Sequence, residues 1–422
     1  MSKLDLIVHK HNKEITGEVS ISGSKNSALA IIPAALLSSG RITLNNVPRI
    51  TDVLTVISIL EDLGHFVEFK QNTLIIERNN KAKIIFSDKV KCLRGSYYFI
   101  SVYLSIFKKL YIKECGGCNL GDRPINYHLD AFNELGVKIR TIDINDNTYN
   151  HYYCEHINSK EVNLPYKSVG TTINIILLSV VSNAIVTINN ASIEPEVIDL
   201  CNFLKSIGGC IIISDNTIII HGVKTLSSTS YTIISDRIEA GTYLALGTLP
   251  NTNNIKVTNI NPTHLDEYIK ALKDIGYKIE TDNNSITINK STCLKPVDII
   301  TSPYPGFPTD LAPIISIVLA QINSTSTLTD TVFINRYSHV KEINKLGGNI
   351  IIKNNTLFIS KSNNYINDII YAHDLRCAAA LLLYSIGVNQ EITIKNIEHL
   401  FRGYVDPIKK LQAIGITCSI NT

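Results

Sequence analysis

The sequence predicts an α/β protein of two domains, each made of three copies of one β-α-β-α-β-β unit, and three observations carry that prediction. A Leu/Ile-Gly step closing an amphipathic helix recurs as LEDLG, FNELG, FLKSIG, LKDIG, INKLG and LQAIG, its glycines being Gly64, Gly136, Gly208, Gly276, Gly347 and Gly415, 68 to 72 residues apart. Repeats at a fixed period mark repeated structural units. Strand and return-strand pairs with Asn or Asp at the turn follow, as in GCIIISDNTIIIHG and GNIIIKNNTLFISK. Helical segments apolar on every side, such as SALAIIPAALL, YYFISVYLSIF, TTINIILLSVV, LAPIISIVLA and CAAALLLYSIG, alternate with one-faced helices such as PEVIDLCNFLKSIG. The first kind belongs inside a protein and the second at its surface.

Each element has its own signal along the chain. The repeated glycines fall where a helix end needs a left-handed residue. The second copy of the hairpin, VKIRTIDINDNTYNHYYCEH, is the loosest. The sixth unit is cut short, because only ITCSINT follows Gly415, and the N-terminal LDLIVHKHNK is similar to the return strand TIIIHGVK. That likeness predicts a first domain over 22–232 and a second over 1–21 plus 233–422. A chain of 422 residues also exceeds what one hydrophobic core serves.

Composition narrows the class. A net charge of +3, with no Lys/Arg run of five, is too slight a footprint for nucleic acid. The first twenty residues contain an apolar run too short for a signal peptide, and INIILLSVV is about half a membrane span, so a cytoplasmic protein without membrane insertion is expected. Nine cysteines, an odd number scattered from Cys92 to Cys418, fit a reducing compartment.

The segments that open the inner helices are SGSKNS, LRGS, KSVGTT, SDRIEAGT, FPTD and HDLRC, and five of the six carry Lys25, Arg94, Lys167, Arg237 or Arg376. Helix starts expose unpaired N–H groups and a partial positive charge. Each contributes only about 0.3–1 kcal/mol toward an anion, so several must converge in a shared cleft, with side-chain cations, to hold a phosphorylated or carboxylated substrate.

ECGGCNLGDRP, residues 114–124, offers Cys115 and Cys118 in C-x-x-C spacing. Structural zinc needs four ligands, and no second pair of this kind is in the sequence. A thiol of ordinary pKa, about 8.5, is mostly protonated at neutral pH and can donate, while a nearby arginine favours the thiolate. Gly116 and Gly117 are expected to let this loop swing.

SGSKNSAL, GGCNLGDRP, EPEVID, SDRIEAGT, FPTD, VFINR, HDLR and FRGY, in that order over essentially the whole chain, resemble the enolpyruvyl transferase family. The resemblance implies the EPSP synthase-like fold of two inside-out α/β barrel domains. It implies transfer of the enolpyruvyl group of phosphoenolpyruvate to the 3-hydroxyl of UDP-N-acetylglucosamine, with no metal and no cofactor. By the same resemblance Cys118, Asp310, Lys25 and Arg402 are catalytic. Cys118 serves as proton donor and adduct former and Asp310 as candidate base. Lys25, Asn26, Arg123, Arg376 and Arg402 contact phosphoenolpyruvate. Arg94, Arg123, Pro124, Ile125, Asn126, Tyr127, Lys167, Ser168, Val169, Asp310 and Val332 contact the sugar nucleotide. Arg237 and Glu239 are expected to form a structural ion pair. The chain departs from the family pattern at Asn126, where aspartate is common, at Tyr166, where lysine is usual, and at Ile193, where arginine is expected. Two other readings remain, the shikimate-pathway enolpyruvyl transferase and a non-catalytic scaffold of the same fold. The GGC loop and the His128 that follows GDRP stand against the first, and the retained Lys25, Cys118, Asp310, Arg376 and Arg402 against the second.

Overall fold

Each repeat folds as one inner helix, one outer helix and a small sheet. The computed structural model describes residues 3–11, 13–116, 125–291, 293–333, 336–362 and 367–421. The inner helices are Lys25–Ala34, Tyr98–Phe107, Val169–Ser179, Arg237–Leu246, Ala312–Leu319 and Leu375–Val388. They are buried almost all round, and every residue of Arg237–Leu246 is. The outer helices are Thr51–Leu63, Asn126–Glu134, Pro195–Ser206, Asp266–Ile275, Ser338–Lys345 and Pro407–Ala413. The six repeat glycines follow these outer helices with φ between 90° and 118°. An L side chain there would face the carbonyl crowding that disfavours left-handed backbone.

The chain divides into two units, Gly23–Ile234 and Met1–Ser22 with Ser235–Thr422. In the first, the Tyr98–Phe107 helix packs against Lys25–Ala34 and Val169–Ser179, and in the second the Ala312–Leu319 helix packs against Arg237–Leu246 and Leu375–Val388. The sheets flank these helical centres, which is the inside-out arrangement.

The sheets share one plan. In the third repeat Lys160–Asn163 runs parallel to Ile185–Asn189, which pairs antiparallel with Thr217–His221, which pairs antiparallel with Cys210–Ser214. The register puts Val186, Ile220 and Ile211 in one buried row, as period-two alternation requires. The second repeat keeps only Lys109–Ile112, Asn147–Tyr153 and Lys138–Ile144, with a single parallel bridge from Ile85 to Tyr111 where the others have a strand. In the last repeat Asp5–Val8 lies between Ile392–Lys395 and Cys418–Asn421, antiparallel to both.

Two strands belong to a sheet of one unit while the helix that follows belongs to the other. Ile15–Ser20 pairs with Thr252–Thr258, and Thr229–Thr232 pairs with Ile42–Asn45. The inner helix starts at Lys25 and Arg237 come directly after these two crossings.

Candidate active site

In the Gly23–Ile234 unit the first inner helix is capped by Ser24, whose Oγ accepts from the Ser27 N–H at 3.2 Å. Lys25 follows, half-buried, with Nζ 2.7 Å from the buried Asp52 carboxylate, and Asn26 is exposed. Gly23 is required by contact, since a Cβ there would lie 1.6 Å from the Asn46 carbonyl oxygen.

A second group of expected residues gathers around the buried His128. Arg94 opens the short turn Arg94–Tyr97 before its inner helix. Burial first, and then the Arg94 charge, lower the His128 imidazole to about 4, so the ring is neutral near pH 7. Asn174 Nδ2 donates to His128 Nδ1 at 3.0 Å, and Ser101 Oγ fixes that amide by donating to its oxygen at 2.7 Å. His128 follows the exposed Asn126 and Tyr127, and the Ile125 carbonyl accepts the His128 and Leu129 N–H groups to begin the helix. The ring also lies against the third helix start, where a Cβ on Gly170 would approach His128 Cε1 to 2.9 Å. Ser168 caps that helix by accepting from Thr171 N–H, with Lys167 half-buried before it and Val169 as first helical residue. The neutral ring thus feels the Arg94 charge, belongs to a residue whose backbone N–H is tied to the Ile125 carbonyl, and lies against Gly170, the residue after Lys167–Val169.

Cys118, Arg123 and Pro124 lie outside the described residues. Cys115, just before them, is buried, and burial aided by the Glu114 charge pushes its thiol well above the ordinary range. Gly116 corrects an expectation. Its N–H donates to the Val90 carbonyl and a Cβ would meet the Lys91 carbonyl oxygen at 1.6 Å, so this glycine is pinned by close packing rather than free to swing.

The other unit holds the second cluster. Asp310 sits in the turn Thr309–Leu311 that opens the fifth inner helix. Its Oδ1 accepts from Arg336 Nη1 and its Oδ2 from Arg376 Nη2, each at 2.7 Å. Burial opposes ionisation, but the two guanidiniums outweigh it and hold the carboxyl well below the usual range. Arg376 stands in the first turn of Leu375–Val388, where Asp374 caps by accepting the N–H groups of Arg376 and Cys377 at 2.9 and 3.0 Å. Arg402 ends the turn Ile397–Arg402, and Gly403 after it packs on Leu375, which brings this turn beside the Arg376 helix start.

Val332 is fixed by Asp330, a fully buried carboxylate that accepts from the N–H groups of Val332 and Phe333 at 3.0 Å and from the hydroxyls of Thr301 and Thr309 at 2.7 Å. Asp330 therefore ties Val332 to the turn that carries Asp310. Glu239 pairs with Lys410 at 2.6 Å and accepts from the Ser22 N–H, while Arg237 lies over the Tyr304 ring. The expected Glu239–Arg237 pair is replaced because side chains two apart on a helix point away from each other.

Sequence reasoning missed Arg336 and Asp330. Arg336 was in view as the last residue of VFINR, but an arginine after a turn reads as solvated unless its carboxylate partner, 26 residues away in sequence, is known. Asp330 carried no motif at all.

Helix-centred units of three repeats, with anion-ready helix starts and a carboxylate held by two guanidiniums, define an enolpyruvyl transferase fold. Over all of this chain the structure superposes on the enolpyruvyl transferase NikO from Streptomyces tendae, with a TM-score of 0.88, 21% identity and 99% of that chain covered. EPSP synthase from Acinetobacter baumannii aligns with a TM-score of 0.75 at 15% identity, covering 99% of this chain and 100% of that one. Residues 9–411 match the EPSP synthase (3-phosphoshikimate 1-carboxyvinyltransferase) family. The sequence is 38% identical over 413 residues to UDP-N-acetylglucosamine 1-carboxyvinyltransferase 2 of Staphylococcus aureus (strain MRSA252), covering 97% of each chain. It is 36% identical to the protein of the same name from Listeria monocytogenes serotype 4b (strain F2365), covering 97% of this chain and 96% of that one. The chain belongs to the EPSP synthase family of enolpyruvyl transferases.

Proposed function

We propose that this chain transfers the enolpyruvyl group of phosphoenolpyruvate to the 3-hydroxyl of UDP-N-acetylglucosamine and releases inorganic phosphate, the first committed step of peptidoglycan synthesis, in the cytoplasm. The observation that carries the chemistry is the Asp310 carboxylate held at a helix start between Arg336 and Arg376. It puts a proton acceptor and two buried forked cations in one place, as an addition and elimination on an anionic donor requires. The near full-length relatives of that name support the acceptor.

In the addition, the sugar oxygen bonds to carbon 2 of the donor, its proton goes to Asp310, and carbon 3 gains a proton from Cys118. In the elimination, carbon 3 returns a proton to the Cys118 thiolate, the bond from carbon 2 to the phosphate oxygen breaks, and the proton held by Asp310 leaves to solvent or with the phosphate, so that an enol ether and inorganic phosphate remain and both side chains are restored. Arg123, Arg402, Lys25 and Asn26 hold the donor with Arg376. Arg94, Pro124, Ile125, Asn126, Tyr127, Lys167, Ser168, Val169 and Val332 hold the nucleotide, and the neutral His128 ring, packed at Gly170, lies next to the helix start that carries Lys167–Val169. Asn126, in place of aspartate, keeps a carbonyl acceptor without the charge.

The test is phosphate release by the purified protein with phosphoenolpyruvate and each acceptor. Release with UDP-N-acetylglucosamine alone is expected. Release with shikimate 3-phosphate instead, or with neither, refutes the reading.

A further inference from the structure

The two guanidiniums on Asp310 are almost wholly buried, their side chains 5% and 6% exposed, whereas the carboxylate between them keeps 26%. Arg336 Nε is also buried, with no hydrogen-bond partner among the described residues. Two planar forks, each aiming one N–H at a different oxygen of a single carboxylate, are a receptor for any small carboxylate. The surrounding charges are arranged to keep the forks in place. Asp374 caps the Arg376 helix and accepts from Ser338, and Asp236 and Tyr404 are further neighbours that favour the charged Arg376.

We propose that Asp310 fills a carboxylate seat as the chain's own ligand, so that a carboxylate-bearing ligand and Asp310 compete for Arg336 and Arg376. The proposal rests on the reading of Asp310 as the base and Arg376 as a donor contact. An oxygen engaged by a guanidinium at 2.7 Å has little tendency to take a proton. When the donor's carboxylate enters the seat, Asp310 is released from Arg376, and its freed oxygen becomes able to accept the proton of the sugar hydroxyl. The base is thereby inactive until the donor is bound. Arg336 Nε, without a hydrogen-bond partner among the described residues, leaves that guanidinium one N–H not spent on Asp310.

Competition for a seat and simple charge repulsion differ in what they do to phosphate. Binding is followed by NMR titration of two probes, pyruvate, which has a carboxylate and no phosphate, and inorganic phosphate, which has no carboxylate. Both are titrated into the intact protein, Asp310→Ala and Asp310→Asn. Removal of the internal ligand is expected to tighten pyruvate about tenfold in Asp310→Ala, and by a smaller factor in Asp310→Asn, whose amide still occupies the seat, with phosphate changing less than about twofold. Pyruvate binding that is unchanged or weaker in Asp310→Ala overturns the proposal, as does phosphate tightening as much as pyruvate. Should Asp310→Ala fail to fold, Asp310→Asn is judged by the same two criteria. Neither probe requires turnover, so failure of the acceptor assay leaves this comparison intact, and the reverse also holds.

Discussion

Cys115 and Cys118 are three residues apart, and the surroundings of Cys115 make it unsuited to react. Burial and the Glu114 charge keep the Cys115 thiol protonated well above neutral pH, and a buried neutral thiol is a poor nucleophile. Cys118 carries the proposed proton donation and adduct. Cys118→Ala is expected to lower turnover by at least about a hundredfold, the scale of a lost general acid. It should also remove alkylation by the epoxide fosfomycin, while Cys115→Ala leaves both within about twofold. Intact-mass measurement after labelling decides the point, and a mass shift that follows Cys115 would reverse the assignment. Side-chain types at helix starts were legible in the sequence, because Lys25, Arg94, Lys167 and Arg376 recur at one phase of the repeat. What those side chains touch was not. Asp310 reads as a cap in FPTD, but its partners come from Arg336 and Arg376, the latter 66 residues away, and the cap of the next inner helix is Asp374.

At the scale of elements, two kinds of glycine are distinguished by the structure and should respond differently to the same substitution. Gly208 ends an outer helix with φ +100° and has nothing within 4 Å of a built Cβ, so Gly208→Ala meets backbone strain alone, about 1 kcal/mol. Gly23 has ordinary φ, but its Cβ would overlap the Asn46 carbonyl oxygen at 1.6 Å. That turn must open, at a cost above about 3 kcal/mol, and Lys25 would shift with it. Urea midpoints of the two variants should separate by that margin, and equal midpoints would mean the turn at Gly23 yields easily. The periodic glycines announced the first class, since helix ends have a sequence pattern. The second class depends on which carbonyl lies opposite, which no local pattern records. The same contrast explains the second repeat. Its loose hairpin KIRTIDI, mostly exposed, foreshadowed a weak sheet, but the loss of one strand to the single Ile85–Tyr111 bridge follows from pairing between distant segments.

For the whole molecule the repeat count was legible because six copies repeat one hydrophobic pattern, and the missing piece of the sixth was visible as an apolar strand at the other end of the chain. Buried ionisable groups were not, because His65, His128 and His339 look like ordinary polar residues until the inner helices close over them. Burial foremost lowers each of these rings from 6.5 to about 4. Between those values the unfolded chain binds protons that the folded chain refuses, so stability is full above pH 6.5 and is lost as pH falls toward 4. His151 and His399, also lowered, act in the same sense. Asp199 opposes them. Burial raises its carboxyl to about 6, so its contribution is present below the ordinary 3.8 and is lost as pH rises through 6, and Glu239, raised likewise, adds to it. The aspartates that are lowered, such as Asp310 and Asp374, act only below their ordinary 3.8, outside this window, and the lowered Glu342 acts only below 4.5, at its lower edge and in the same sense as the histidines. Histidines outnumber the opposing acids, so unfolding near pH 5 should take up about two protons, a slope on the order of 3 kcal/mol per pH unit. Denaturation midpoints measured at pH 7, 6 and 5 should fall progressively, and His65→Asn should flatten the fall by about one proton's worth, since among the described residues its ring is hydrogen-bonded only to Tyr103 and the Asn79 N–H. Midpoints that hold steady or rise on acidification would show that these rings are protonated inside the folded protein, and with that the neutral His128 beside Gly170 would be lost as well.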